Sequence, residues 1–355
     1  MLKILVINPG STSTKIALFE DELQLWSETQ RYETEELDLY PTMEEQESFR
    51  FGAISRILEK QDVDLSGLDA VVGRGGLLRP LEGGTYKVSK TMIAELLSCE
   101  WGTHASNLGG PLAYRFAHLA GNKPAFIVDP VVVDEMTPEA HLSGLPDLPR
   151  RSIFHALNQK AVAYRAAAAR GGAVADYNFI VVHMGGGVSV GAHRRGRVID
   201  VNDALGGTGP MSPERAGSLS AALLTDLCFS GKHTHREINK MLVGAGGFVA
   251  HLGTNNFLSV EQQVKVQKRE ACLVFDAFVF QVGKEIGSAA VALRGEVDAI
   301  LLTGGLAHSD LLCKQIRDQV AWIAPVEIFP GEDEMRALAE GVLRVFLHGE
   351  APKEY

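Results

Sequence analysis

The 355-residue chain contains no apolar run of about 18 residues, the length a helix needs to cross a bilayer, so no membrane span is expected. It has no basic excess: 34 Lys and Arg stand against 44 Asp and Glu, a formal charge of -10 at pH 7. That excludes a general nucleic-acid binder. It leaves room for an anionic ligand, because a local arginine cluster sets the field at a site. Cysteine is sparse. Cys99, Cys228, Cys272 and Cys313 are scattered with no CxxC pair, which gives no zinc or redox motif and reads as reduced thiols of a cytoplasmic protein. Met1-Leu2-Lys3-Ile4 enters a strand directly and lacks the layout of a secretory leader, again an expectation of a cytoplasmic location. No low-complexity segment occurs. What remains is 46% hydrophobic and 22% charged, ordinary for a soluble globular protein, and long enough for two domains with separate cores.

The most informative feature is an internal repeat. Ile4-Leu5-Val6-Ile7 runs into Asn8-Pro9-Gly10-Ser11-Thr12-Ser13-Thr14-Lys15 and on into Ile16-Ala17-Leu18-Phe19. About half a chain later, Phe179-Ile180-Val181-Val182 runs into His183-Met184-Gly185-Gly186-Gly187-Val188-Ser189 and on into Val190-Gly191-Ala192. Each unit is an apolar strand, a turn of small residues and a second strand, and the two align without a gap. A hairpin with such a turn can wrap its backbone N–H groups around a phosphate. Two of them in equivalent halves would grip one polyphosphate from both sides.

Along the rest of the chain, strands are expected at 23–27, 68–73, 125–128, 198–201, 299–302 and 326–329. Helices are expected up to Lys60, at 92–97, 111–120, 152–170, 213–229, 236–242, 309–319 and 334–347. A long apolar-periodic helix, broken once, is expected over 259–294. Strands alternating with helices mean α/β layers, and the opening meander makes each sheet mixed. The Pro-rich stretch 138–149 is the candidate boundary. It gives an N-terminal domain of residues 1–150 with 330–355 returning to it, and a C-terminal domain of residues 151–329.

The segment Asn8-Pro9-Gly10-Ser11-Thr12-Ser13-Thr14-Lys15 resembles the signature of the acetokinase family. Five further segments fall in that family's order: Val72-Gly73-Arg74-Gly75-Gly76, Phe154-His155, His183-Met184-Gly185-Gly186-Gly187, Pro213-Glu214-Arg215-Ala216-Gly217 and Thr303-Gly304-Gly305. The likeness covers essentially the whole chain. The short length and the run 203–211 are most similar to the branch that acts on butyrate. The resemblance implies two duplicated ribonuclease-H-like (actin-like ATPase) domains with mixed five-stranded sheets and a nucleotide cleft between them. It implies reversible, direct in-line transfer from ATP to a short-chain fatty acid, with Mg²⁺. A homodimer or higher homo-oligomer formed through the second half is implied too. Acetate or a branched acid as acceptor, a sugar kinase, and a non-transferring actin-like ATPase are the alternatives. A phosphoenzyme on Glu334 is the mechanistic rival.

A short-chain carboxylic acid is ionised at pH 7, with a pKa near ~4–5, and needs no general base. The difficulty is bringing one anion up to another, so the site should supply cations. By resemblance, Arg74 and Arg215 orient the carboxylate and the transferring phosphoryl group, for which a guanidinium fork is suited. His155 contacts that group, His183 lies beside the phosphate turn, and His104 lies near the substrate pocket. Asp129 and Glu334 hold magnesium, with Asp333 a rival to Glu334. Asn8, Ser11 and Ser13 in one turn, and Gly185, Gly186 and Gly187 in the other, take phosphate. Gly304, Gly305 and Leu306 approach the nucleotide, and Gly247 and Phe248, with His251 beyond, line the adenine pocket. That last segment lacks the Asp-Phe-Arg of the acetate kinases. His233 and His235 have metal-pair spacing but read as a solvated loop.

Overall fold

The computed structural model describes all 355 residues. They form two compact units, Met1–Val133 with Asp333–Tyr355, and Asp134–Glu332.

The first unit opens with an antiparallel meander, β1 (Lys3–Pro9), β2 (Ser13–Glu20) and β3 (Leu23–Arg31). Strands β4 (Ala70–Arg74) and β6 (Ala125–Val128) extend it in parallel on the β1 side. A short strand β5 (Thr85–Lys87) closes that edge antiparallel to β6, so this sheet has six strands, ordered β3-β2-β1-β4-β6-β5. The sequence reading expected five. Three residues without a strong alternation carry too little signal to mark the sixth. The central strands β1 and β4 are buried nearly end to end. Their uninterrupted apolar runs follow, because the helices Gly109–Leu119 and Glu334–Leu347 both pack on them.

The second unit repeats the plan. Strands β7 (Asn178–Met184), β8 (Val188–Arg194) and β9 (Arg197–Val201) form the meander, and β10 (Ala299–Gly304) and β11 (Val326–Pro330) add in parallel, giving the order β11-β10-β7-β8-β9. Alternate residues serve two cores. Phe179 and Val181 meet Val162, Ala163 and Ala166 of the helix Ala156–Ala169, while Ile180 and Val182 join the cluster that contains Phe275, Phe278 and Val282 of the helix Arg269–Ala292.

The duplication extends to an irregularity. A bulge falls between Leu18 and Phe19 in β2, and between Ala192 and His193 in β8. The hairpins differ at the turn: Pro9 pairs with Thr14 across four residues, whereas Met184 pairs with Val188 across three. A gapless alignment therefore slips by one residue in the second strand of the repeat.

Two helix starts move by more than two residues. The helix expected from 152 begins at Ala156. No helix starts at Pro213; it begins at Ala221. Residue Arg215 instead bridges Val243 in antiparallel fashion, and Gly217 turns through φ +70°, so the chain is drawn into a loop before it can coil. The long helix breaks once as expected, into Phe257–Lys265 and Arg269–Ala292.

Candidate active site

Strands deliver most of the singled-out side chains to their carboxyl ends, where an α/β sheet opens. In the first unit Asn8 lies near the end of β1, Arg74 ends β4, Asp129 follows β6, and Glu334 starts the returning helix. Arg74 is carried close to the helix Gly109–Leu119. A Cβ on Gly73 would stand 2.0 Å from the Gly109 carbonyl oxygen, so only glycine permits that approach.

Arg74 and Glu334 form a two-pronged ion pair, Nη2 to Oε1 at 3.0 Å and Nη1 to Oε2 at 3.1 Å. Asn8 donates from Nδ2 to Glu334 Oε2 at 2.7 Å, and Arg74 Nη1 lies 3.5 Å from Asn8 Oδ1. Both members of the pair keep part of their surface in solvent. Asp129 is different. It is 2% exposed, accepts the Gly84 N–H at 2.7 Å, faces Arg344 at 3.8 Å and has φ +38°. A non-glycine residue in that region is strained, and such strain gathers at functional sites. His104 caps the short turn Ala105–Leu108, accepting from the Ser106 N–H at 3.2 Å and meeting its hydroxyl at 2.8 Å. Burial, and then the charge of Arg74, hold its pKa below the ordinary histidine value.

The turn that carries Ser11 and Ser13 rests on a residue the sequence reading passed over. Arg50 is wholly buried beneath it. Its guanidinium donates to the carbonyls of Gly10 at 2.8 Å, Ser13 at 2.9 Å and Ser11 at 3.1 Å, and to the Thr14 hydroxyl at 3.0 Å. The ring of Tyr32 lies 4.9 Å from it. A signal was available. Within the helix Met43–Lys60, Arg50 shares the buried face of Met43, Glu47, Ile54 and Ile57, and an arginine at a core position of a helix needs acceptors there.

In the second unit the turn Gly185–Gly187 closes with the Gly185 N–H on the Gly187 carbonyl at 2.9 Å. The guanidinium of Arg215 lies against it: a Cβ on Gly187 would stand 2.4 Å from Nη1. Arg215 donates to the Ala204 carbonyl, and its pKa is lowered, chiefly by burial and against the pull of Glu214 and Asp203. His155 and His183 stack with ring centroids 3.7 Å apart. His155 meets Ser189 and His183 meets Asn158, each through Nδ1 at 2.8 Å. His183 Nε2 also lies 3.5 Å from Glu332 Oε1.

Gly304 ends β10 with φ +87°, and a Cβ there would stand 2.4 Å from the Met184 carbonyl oxygen. That approach locks the end of β10 to the end of β7. Beyond it, Gly305 and Leu306 line a cavity of about 680 Å³ with His308, Asn255, Phe257 and Lys265. Phe248 does not line it: the ring is fully buried, edge-on to Phe278. Gly247 is pressed onto the Ser212 carbonyl. His233 and His235 belong to no metal-holding cluster, and His235 opens the exposed side of the helix His235–Leu242.

A duplicated mixed sheet, each copy with a small-residue turn after its first strand, defines the actin-like ATPase class of fold. The chain belongs to the acetokinase family, whose model matches residues 127–323, more than half of its length. It is similar over 98% of its length to all of an acetate kinase from Porphyromonas gingivalis, with 19% identity and a TM-score of 0.79. A propionate kinase from Francisella tularensis subsp. tularensis matches 96% of the chain over 99% of its own, with 18% identity and a TM-score of 0.74. An acetate kinase from Entamoeba histolytica matches 96% of the chain over 98% of its own, with 14% identity and a TM-score of 0.74. At these identities the solved structures establish the fold. Family membership makes the chain a phosphotransferase that carries phosphate from ATP to a carboxylate.

Proposed function

We propose that the protein phosphorylates a short-chain fatty acid, with butyrate the first candidate: ATP plus butyrate gives ADP plus butyryl phosphate, reversibly. The observation that carries this reading is that each of the two duplicated turns has a guanidinium beside it, Arg74 at Asn8 and Arg215 at Gly187. An ionised acceptor needs no base, so the work left to the protein is charge compensation and orientation. One arginine to grip the acceptor carboxylate and one for the transferring phosphoryl group meet that need. His155 donates to the phosphoryl group, and His104, neutral beside Arg74, closes the acceptor side without adding charge. In this reading each unit's own turn takes phosphate, through Asn8, Ser11 and Ser13 in the first and Gly185, Gly186 and Gly187 in the second. The cavity at Gly305 and Leu306 receives the adenosine.

Magnesium fits the oxygen donors present. Glu334 is the more exposed of the two carboxylates, at 22%, with its oxygens on Arg74 and Asn8, while Asp129 is buried with one oxygen on the Gly84 N–H. A metal that retains waters and phosphate oxygens uses few carboxylates, so Asp129 and Glu334 would hold it, directly or through water. When bound with ATP it would supply neutralising charge at the phosphates. The alternative sugar-kinase reading needs a free carboxylate as base. The burial and partners of Asp129 argue against that role.

A homo-oligomer is part of the same reading. The helix Ala221–Cys228 buries none of its residues, and Leu223 and Phe229 are 70% and 86% exposed, which favours an apolar partner surface. A cytoplasmic location is part of the same reading; no helix is long and apolar enough to cross a membrane.

The test is acyl-hydroxamate formation from Mg·ATP, hydroxylamine and straight and branched acids of two to six carbons. Activity peaking at four carbons and lost in Arg74→Ala and Arg215→Ala, with circular dichroism unchanged, is expected. ATP binding without hydroxamate from any acid would overturn the reading.

A further inference from the structure

The protonation pattern of the stacked histidines follows from neighbours that have no choice of role. The carbonyl oxygens of Gly331 and Glu332 can only accept, so the Asn158 amide turns Nδ2 to them, at 3.5 and 3.0 Å. Its Oδ1 is then the atom 2.8 Å from His183 Nδ1, and an oxygen acceptor there requires a proton on that nitrogen. The Ser189 carbonyl also only accepts. Gln159 therefore donates from Nε2, to that carbonyl at 3.1 Å and to the Ser189 hydroxyl oxygen at 2.8 Å. Its Oε1 is left to accept from His193 Nε2 at 2.9 Å. The Ser189 hydroxyl oxygen also faces the His155 backbone N–H at 3.5 Å, so with Gln159 both its lone pairs are engaged and its proton is left to give to His155 Nδ1, 2.8 Å away.

The far end of this chain is secure. His193 is wholly buried, and burial, reinforced by the charge of Lys160, pushes its pKa to about 3. Lys160 is itself fixed by Glu135 at 2.9 Å and by the Gly196 carbonyl at 3.0 Å. The relay thus runs from a neutral ring through an amide and a hydroxyl, with every donor matched to an acceptor.

We propose that the adjacent residues Asn158 and Gln159 hold the stacked rings in opposite tautomers, Nδ1–H in His183 and Nε2–H in neutral His155, with Ser189 and Gln159 acting as positioning residues for His155. The proposal rests on the reading of His155 as the donor to the transferring phosphoryl group, and deepens it. A neutral His155 protonated on Nδ1 would turn a lone pair toward anionic oxygens; the relay removes that form. Sequence inspection passes over these residues because Asn158, Gln159 and Lys160 sit in an alanine-rich helix where polar residues read as its solvent face, yet all three are buried.

The test is long-range ¹H–¹⁵N correlation of the histidine rings in ¹⁵N-labelled protein without substrate, above the range where histidine protonates. Signals are assigned by their loss in His155→Gln and His183→Gln. The expected pattern is a pyridine-type Nδ1 with a pyrrole-type Nε2 in His155, and a pyrrole-type Nδ1 in His183. The same tautomer in both rings, or a pyrrole-type Nδ1 in His155, would overturn the proposal. Ser189→Ala should shift the His155 tautomer ratio and lower kcat by about ten-fold, as expected for losing one net hydrogen bond, with KM for ATP and acid unchanged. Ser189→Thr should restore both. Gln159→Glu should mimic Ser189→Ala, because a carboxylate draws the Ser189 proton to itself. An unmoved ratio in Ser189→Ala also sinks the proposal. The spectra decide the tautomers whether or not any acid is phosphorylated, so failure of the kinase reading stays separate.

Discussion

Removing the Arg50 guanidinium should loosen the small-residue turn at residues 10–14 before it harms the rest of the fold. Four acceptors depend on it: three backbone carbonyls and the Thr14 hydroxyl, at 2.8 to 3.1 Å. Hydrogen bonds to a charged group contribute about 1.5–3 kcal/mol each, and removing the guanidinium also removes the cost of burying its charge. Here the turn is partly open, with Ser11 exposed and Gly10 and Ser13 half-buried, so water takes over some of the lost bonds. A loss of about 3 kcal/mol is therefore expected for Arg50→Met, or about 6–12 °C in Tm at the ~2–4 °C per kcal/mol of a unit this size. Arg50→Lys keeps the charge but not the fork and should lose somewhat less. In both, kcat/KM for ATP should fall at least ten-fold while KM for the acid barely moves, measured in the hydroxamate assay at varied ATP and varied acid. Amide hydrogen exchange should speed up across residues 10–14. A melting temperature within about 2 °C of wild type, with exchange and kcat/KM for ATP unchanged, would refute the reasoning.

Other expectations follow from single contacts. His193 has a folded pKa of about 3 against an ordinary 6.5, so the unfolded chain binds the extra proton as pH falls. Its contribution is full above about pH 6.5 and is lost between there and pH 3, to a total of about 4–5 kcal/mol at 1.36 kcal/mol per pH unit. Urea midpoints from pH 7 to pH 4 should therefore fall less steeply in His193→Gln, and parallel slopes would count against it. Gly187→Ala should fold normally, because the clash is with the far end of the Arg215 side chain and not with backbone, yet lose ten-fold or more in kcat. Gly304→Ala should be poorly folded, because it strikes the Met184 backbone at positive φ; equal thermal stability of the two would be unexpected. Leu223→Asp with Phe229→Asp should lower the mass seen by light scattering if that helix is covered by a second copy. An unchanged mass would place the interface elsewhere.

Much of the fold was legible because its signals are local. The uninterrupted apolar runs that became β1, β4, β7 and β10 mark strands covered on both faces. The paired small-residue turns mark the duplication. That the long helix breaks once, though not where, and the start of the last helix at Glu334 were also visible in the sequence. The errors came where distant chain overrules local preference. Residues 213–220 look helical until Val243 bridges Arg215, and β5 exists only because β6 offers it an edge.

The candidate site divides along the same line. The sequence by itself determined which chemical groups are present and their order: two arginines, three histidines, two carboxylates and two small-residue turns. Those depend on residue type and neighbours along the chain. The tertiary structure alone decided what each group meets. It paired Arg74 with Glu334 across 260 positions and set Arg50 under a turn 40 residues away. It also laid His155 on His183, and gave Ser189, Gln159 and Asn158 their roles. Hydrogen bonds and stacking act over a few ångströms of space, and no spacing in the sequence encodes which distant atoms will fill them.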